Sequence, residues 1–270
     1  MPSIRLDDKV VVVTGSSRNL GRAMALGLAD AGARVVLASP ETDLLAEVAA
    51  EIQGKHGKGR ALPVTVDITS KADVERLRDE TLARFGALHV LVNVARRSSR
   101  GPGLPADGNH FKFWESDADI WQDTVRVGVN GTFVVSRALV QPMIAQGWGR
   151  IVTITTSIGT MQRKLNSPYG VTKAALEAAS MIWSQDLAGT GVTVNTLVPG
   201  GSCDVGPHRY YPPGKKLLPA TVMNAALVWL ASDLSDGKTG GRYVGKLWND
   251  ALPPDRAAVS AFEAPAIRAP

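Results

Sequence analysis

In the stretch Asn166-Ser167-Pro168-Tyr169-Gly170-Val171-Thr172-Lys173, a phenol and an ammonium stand four residues apart. Pro168 suits the position just inside a helix start, with Asn166 or Ser167 as its cap, and the alanine-rich run from Ala174 to Met181 continues the helix. On such a helix Tyr169 and Lys173 share one face. A free phenol titrates near ~10, and a close opposite charge typically lowers a pKa by about 1–3 units. The pair is therefore a device for giving or taking a proton near neutrality. One Tyr-x-x-x-Lys is a short motif that chance supplies readily, so its meaning depends on the elements that place it.

Those elements alternate. Lys9–Thr14 is a β-branched run suited to a strand buried on both faces, and a helix pattern then runs to Ala31. Strands are expected over Arg34–Ala38, Ala61–Asp67, Leu88–Asn93, Arg150–Thr155, Val192–Val198 and near Arg242–Leu247. Helices are expected over Glu41–Gln53, Lys71–Phe85, about Ser116–Ala145, Tyr169 to about Ala188, and Ala220–Ser232. Long loops cover Arg96–Lys112 and Pro199–Leu218, and Pro253 onward reads as a tail with little pattern. The alternation implies an α/β fold: a single-domain, Rossmann-type doubly wound parallel sheet with helices on both faces. Ligands of such sheets bind at the carboxyl ends of the strands, where the strand order switches. The site is therefore expected in the loops after Thr14, Ala38, Asp67, Asn93, Thr155 and Val198.

Gly15 and Gly21 bracket the first strand-to-helix turn, with Ser17, Arg18, Asn19 and Leu20 between them. Glycines there permit a tight reversal and a close approach of the backbone to phosphate, and the helix start offers unpaired N–H groups to a pyrophosphate. Asn19 stands where a middle glycine is expected, and asparagine tolerates the left-handed backbone better than other side chains. After the second strand come Ser39 and Pro40, with no acid until Glu41. An acid at the strand end would accept from an adenosine ribose 2′-hydroxyl. Arg18 could instead pair with a 2′-phosphate, so NADP(H) is expected over NAD(H).

With these pieces in order the chain resembles the short-chain dehydrogenase/reductase family, 3-oxoacyl-carrier-protein reductases among them, over Asp8 to Trp248. The resemblance rests on Thr14-Gly15-x-x-x-Asn19-Leu20-Gly21, Asp67-Ile68-Thr69, Asn93-x-Ala95, Tyr169-x-x-x-Lys173 and Asn195-x-x-x-Pro199-Gly200. It implies that Asp67 and Ile68 hold the adenine side, that Asn93, Val94 and Ala95 line the cofactor, and that Val198, Pro199 and Gly200 face the nicotinamide. Tyr169 would be the proton donor or acceptor. Lys173 would hold the nicotinamide ribose and keep Tyr169 acidic. The implied reaction interconverts a secondary alcohol and a ketone, and the implied assembly is a homotetramer or homodimer packed through the helices around 116–145 and 167–188.

Several positions depart from the family's pattern. Its catalytic serine lies thirteen residues before the tyrosine, where this chain has Thr156, with Ser157 adjacent as a substitute. A threonine hydroxyl can donate the same hydrogen bond, with an added methyl. The family's catalytic asparagine falls on Gly128, whose backbone carbonyl could still anchor a relay water. Arg96 replaces a glycine after Ala95, and Asp204 replaces a nicotinamide-binding threonine. These departures motivate the rival reading, a nucleotide-binding or scaffold protein that keeps the fold without efficient turnover.

A formal net charge of +5 raises the question of nucleic acid, but no basic run with interleaved aromatics supports it. The basic loops Arg96–Gly103 and His208-Arg209-Tyr210-Tyr211, with Lys215 and Lys216, suggest instead an anionic or acyl-carrier-linked carbonyl substrate. Trp114 and Trp121 are expected in the core or at a subunit contact. Cys203 is the one cysteine and the histidines at 56, 89, 110 and 208 lack ligand spacing, so no metal site is expected. No apolar run approaches membrane-spanning length and the first residues are no secretory signal, so a cytoplasmic setting is expected.

Overall fold

Val10, Val11, Val12 and Val13 have no exposed surface, as a β-branched strand covered on both faces requires. This strand, β1 (Val10–Thr14), lies inside an eight-stranded sheet of order β3-β2-β1-β4-β5-β6-β7-β8. The computed structural model describes residues 4–97, 112–205 and 214–267. The other strands are β2 (Arg34–Ser39), β3 (Ala61–Thr65), β4 (Val90–Asn93), β5 (Gly149–Ile154), β6 (Val192–Val198), β7 (Arg242–Val244) and β8 (Phe262–Glu263). All the pairings are parallel except that of β7 with β8.

Helices cover both faces, as expected. On one lie α1 (Asn19–Asp30), α2 (Thr42–His56) and α8 (Asn224–Leu230), which pack Leu28, Ile52 and Trp229 with Leu37 and Tyr243 of the sheet. On the other, α3 (Lys71–Phe85), α5 (Thr132–Ala145) and α7 (Tyr169–Asp186) bring Leu77, Leu139 and Trp183 against Val12, Leu91 and Val194. α3 shows how locally these boundaries are set: the Ser70 hydroxyl accepts from the Asp73 N–H at 3.2 Å, and Gly86 closes the helix at φ 73°. Strand order reverses between β1 and β4, where Thr14 is in register with Asn93, so the cleft opens at their carboxyl ends.

Two expectations are corrected and a third is narrowed. The segment from Pro253 is not a patternless tail: α9 (Pro254–Ala261) buries Ala257, Ala258 and Ala261, and β8 adds an antiparallel edge to the sheet. The long helix expected over 116–145 is divided. α4 (Ala118–Val125) passes into a π-helical turn, Arg126–Gly131, before α5, and such turns are frequent at functional sites. Of the two places expected for Trp114, core or subunit contact, it does not take the first: it is 66% exposed, with Phe113 edge-on at 5.1 Å.

Candidate active site

α7 begins at Tyr169, so Tyr169, Lys173 and Glu177 follow one another at four-residue steps along one face. Neither Asn166 nor Ser167 caps this helix; the Asn166 amide donates instead to the Thr160 carbonyl at 2.6 Å. Gly170 brings α7 onto the short helix α6 (Ile158–Met161): a Cβ there would lie 2.2 Å from the Met161 carbonyl oxygen. That contact seats the start of α7 against α6. Lys173 is 5% exposed, and its ammonium donates to the Ile154 carbonyl at 2.7 Å. Burial, with help from the Arg96 charge and against that of Glu177, pushes the Lys173 ammonium down to about 7. The Lys173 nitrogen lies 6.0 Å from the centroid of the Tyr169 ring.

The end of β5 is held residue by residue. Lys173 takes the Ile154 carbonyl, Glu177 accepts from the Thr155 hydroxyl, and the Arg242 guanidinium donates to the Thr156 carbonyl at 2.7 Å. Arg242 also donates to Glu177 at 3.2 Å and to Glu263 of β8. Thr156 is buried in this arrangement. Ser157 is exposed, and its hydroxyl lies 2.8 Å from that of Thr160. The structure thus puts Thr156, rather than Ser157, on the tethered strand end. Sequence reading missed Glu177, Arg242 and Glu263. For Glu177 the signal was present, since it continues the Tyr169–Lys173 spacing by one further turn.

At the first turn Gly15 has φ +68°, and a Cβ there would fall 2.8 Å from the Ala95 Cα. Asn19 takes φ 53°, the left-handed conformation expected of it in place of glycine. The Thr14 hydroxyl accepts from the N–H groups of Val94 and Ala95 at 3.1 and 3.2 Å, stitching the loop after β4 to the turn after β1. Buried Asn93 donates to Ser136 at 3.0 Å, and its side-chain oxygen has no partner among the described residues. Gly21, Val94, Val198, Pro199 and Gly200 gather at the same strand ends, and Ile68 is buried against Gly131. Asp67 accepts from the Thr69 N–H and hydroxyl, each at 2.8 Å. This cradle fits a dinucleotide: a backbone that only glycine permits, a helix N-terminus behind it, and an unpaired amide oxygen on the wall. Gly15→Ala is expected to destabilise the fold by about 1–3 kcal/mol through strain at that backbone. It should also weaken NADPH binding about tenfold or more, read by thermal unfolding and by titration.

Two expected cations are engaged elsewhere. Arg18, expected to meet a 2′-phosphate, is paired with Glu41, whose carboxylate also accepts from Ser17 at 2.9 Å and from Ser39. Arg97 pairs with Asp123 at 2.7 Å. Arg96 stays at the cleft, its guanidinium carbon 5.8 Å from the Tyr169 ring centroid. Gly128 lies in the π-helical turn, where its carbonyl accepts from the Thr132 hydroxyl at 2.9 Å. The rest of the Arg96–Gly103 loop and His208–Tyr211 lie outside the described residues. Among the described residues no group of histidine, cysteine and carboxylate side chains could hold a metal ion, and no helix is long and apolar enough to cross a membrane.

The chain is similar to known proteins in both sequence and fold. The family model for short chain dehydrogenases matches residues 9–203. An uncharacterized oxidoreductase of Staphylococcus saprophyticus is 33% identical over 233 residues, 83% of this chain and 92% of that one. A 3-oxoacyl-[acyl-carrier-protein] reductase of Escherichia coli is 30% identical over 197 residues, 73% of this chain and 75% of its own. The crystal structure of a short chain dehydrogenase from Escherichia coli complexed with NADPH has a TM-score of 0.79 at 25% identity, covering 91% of this chain and 100% of that one. Agreement of this breadth, in sequence and in fold alike, makes the chain a member of the short-chain dehydrogenase family of NAD(P)-dependent oxidoreductases.

Proposed function

We propose that the chain interconverts a ketone and a secondary alcohol with NADP(H), in one catalytic domain. The observation that carries this reading is the Tyr169–Lys173 pair on one face of α7, its ammonium buried and anchored to the end of β5. Gly15, Ser17, Asn19, Leu20 and Gly21 would hold the pyrophosphate; Asp67, Ile68, Asn93, Val94 and Ala95 would line the adenine and ribose; Val198, Pro199 and Gly200 would back the nicotinamide. The bound dinucleotide supplies or accepts the hydride.

The chain's own residues handle the oxygen and its proton. In the reducing direction the Thr156 hydroxyl orients the carbonyl oxygen, and Tyr169 donates the proton to it. The Lys173 ammonium stabilises the phenolate left behind, and its hydrogen bond to Ile154 keeps it in place to do so. Arg96 adds a second positive charge beside the phenol, which favours a substrate bearing a carboxylate or phosphate near its carbonyl. The Escherichia coli relative is a 3-oxoacyl-[acyl-carrier-protein] reductase, and with Arg96 at the cleft this supports acyl-carrier-linked substrates. Exposed Phe133, Val171 and Ile182 on α5 and α7 support packing into a homodimer or homotetramer, and a cytoplasmic setting is part of the same proposal.

The test is a thermal-shift titration with NADPH and NADH, followed by NADPH consumption over paired acidic and neutral ketones such as acetoacetate and its ethyl ester. Turnover lost on Tyr169→Phe supports the reading. Binding without turnover on any carbonyl would favour the rival, a nucleotide-binding protein that has lost its chemistry.

A further inference from the structure

We infer that Arg242 is a positioning residue for the proposed reaction, acting on the Thr156 hydroxyl through the Thr156 backbone carbonyl. Glu263 of the C-terminal strand holds Arg242 in the pose that does so. The inference rests on the reading above, that Thr156 orients the substrate carbonyl.

The need for such a device arises where β5 leaves the sheet. The strand ends at Ile154, and the Thr155 N–H still donates to the Leu197 carbonyl of β6 at 3.1 Å. α6 takes over at Ser157, whose carbonyl accepts from the N–H groups of Thr160 and Met161 at 2.9 and 3.0 Å. Thr156 stands between sheet and helix, and its carbonyl accepts from Arg242 at 2.7 Å. A β-branched side chain has few χ1 choices, so the direction of its hydroxyl follows the backbone beneath it. Misplacing a reacting group by about 1 Å can cost about 10²-fold in rate.

The guanidinium directs each of its nitrogens to a different element. Its Nε donates to Glu177 of α7 at 3.2 Å, Nη2 to Thr156, and Nη1 to Glu263 of β8. Arg242 has no exposed surface, so this fork does not turn to water. Glu177 also accepts from the Thr155 hydroxyl, so both residues at the strand end are bound to one buried pair. Glu263 stands opposite Arg242 in the β7–β8 pairing. β8 is seated in turn by the buried alanines of α9 and by Phe262, edge-on to Tyr243 at 5.8 Å. The C-terminal segment thus reaches Thr156 through a single side chain. A lysine at 242 would keep a charge near Glu177, but a point charge on a flexible stem cannot serve three partners as a planar fork does.

The experiment measures kcat and KM for ketone reduction, and the dissociation constant of NADPH, on Arg242→Lys, Glu263→Ala and Glu263→Gln. Each is made in the wild type and in Thr156→Val, and assayed at a temperature where circular dichroism shows it folded. Thr156→Val should itself lower kcat about 10²–10³-fold. With Thr156 present, Arg242→Lys should lower kcat about tenfold or more, and Glu263→Ala about threefold or more, while NADPH affinity stays within about twofold. Glu263→Gln keeps an acceptor for the guanidinium and should return kcat to within about twofold of the wild type. In the Thr156→Val background the Arg242→Lys and Glu263→Ala penalties should shrink below about twofold, because no hydroxyl is left to misplace. The Glu263 carboxylate is 46% exposed, so that series decides the matter even where Arg242→Lys fails to fold. Penalties of equal size in the two backgrounds overturn the inference, since the arginine would then act through the fold or through Lys173. Hydrogen exchange gives a readout that needs no turnover: amides at 155–157 should exchange faster in Arg242→Lys and Glu263→Ala, with β6 still protected. No local increase overturns the inference as well. If Thr156→Val leaves kcat unchanged, the reading of Thr156 itself has failed and the positioning role falls with it.

Discussion

Tyr169→Phe is expected to lower ketone reduction by about 10²–10⁴-fold while leaving NADPH affinity within about twofold of the wild type. The substitution removes one oxygen from the first turn of α7 and leaves the ring, the helix start and the Lys173–Ile154 tether in place. What disappears is the proton donor. The pH dependence should carry the signature of the lysine behind it. Lys173 is held down to about 7 by burial and by Arg96, so its ammonium prevails below that pH and is lost above it. Reduction needs a protonated phenol and an ammonium to stabilise the phenolate that forms. Its rate should therefore fall as pH rises through about 7. Arg96→Gly removes the charge that lowers Lys173, so the fall should move to higher pH. Glu177→Gln removes the charge that raises it, and should move the fall lower. The measurement is kcat/KM for reduction against pH on the three proteins. Movement in the same direction for both variants would show that these charges do not govern the lysine.

The parts of this site that were legible in sequence are those set by backbone geometry or by helical spacing. Val10–Val13 announced a doubly covered strand, and the Gly15–Gly21 interval announced a tight turn, down to the left-handed backbone at Asn19. Tyr169 and Lys173 share a face because four residues is close to one turn. What could not be read depends on side chains that meet across the fold. Arg18 looked available because nothing local shows that Glu41 folds back onto it. The π-helical turn at Arg126–Gly131 shifts hydrogen bonds without disturbing apolar periodicity, so the segment read as one helix. α9 passed for a tail because the face it buries is Ala257, Ala258 and Ala261, residues too small to give a strong hydrophobic rhythm. Its significance appears only when β8 brings Glu263 opposite Arg242, 21 positions away in the chain.

That pairing leads to the largest expected effect on stability. Arg242 has no exposed surface, and the Glu177 side chain beside it is 2% exposed. Arg242→Met would leave the Glu177 carboxylate buried with its close cation gone, and the Thr156 carbonyl without its donor. Breaking a buried pair from one side typically costs about 3–5 kcal/mol, so the unfolding midpoint should drop by roughly 10 °C or more. The partner substitution decides whether charge is the cause. Arg242→Met/Glu177→Gln removes the stranded anion, while the amide that replaces the carboxylate can still meet the Thr155 hydroxyl, and it should recover at least ~1.5 kcal/mol of the loss. Glu263→Gln offers the opposite control: its carboxylate is 46% exposed, so neutralising it should cost no more than about 1 kcal/mol. Chemical denaturation of the four proteins gives all these terms. A double variant no more stable than Arg242→Met would mean that the arginine matters for its packing and for Thr156 alone, and that Glu177 is satisfied without it.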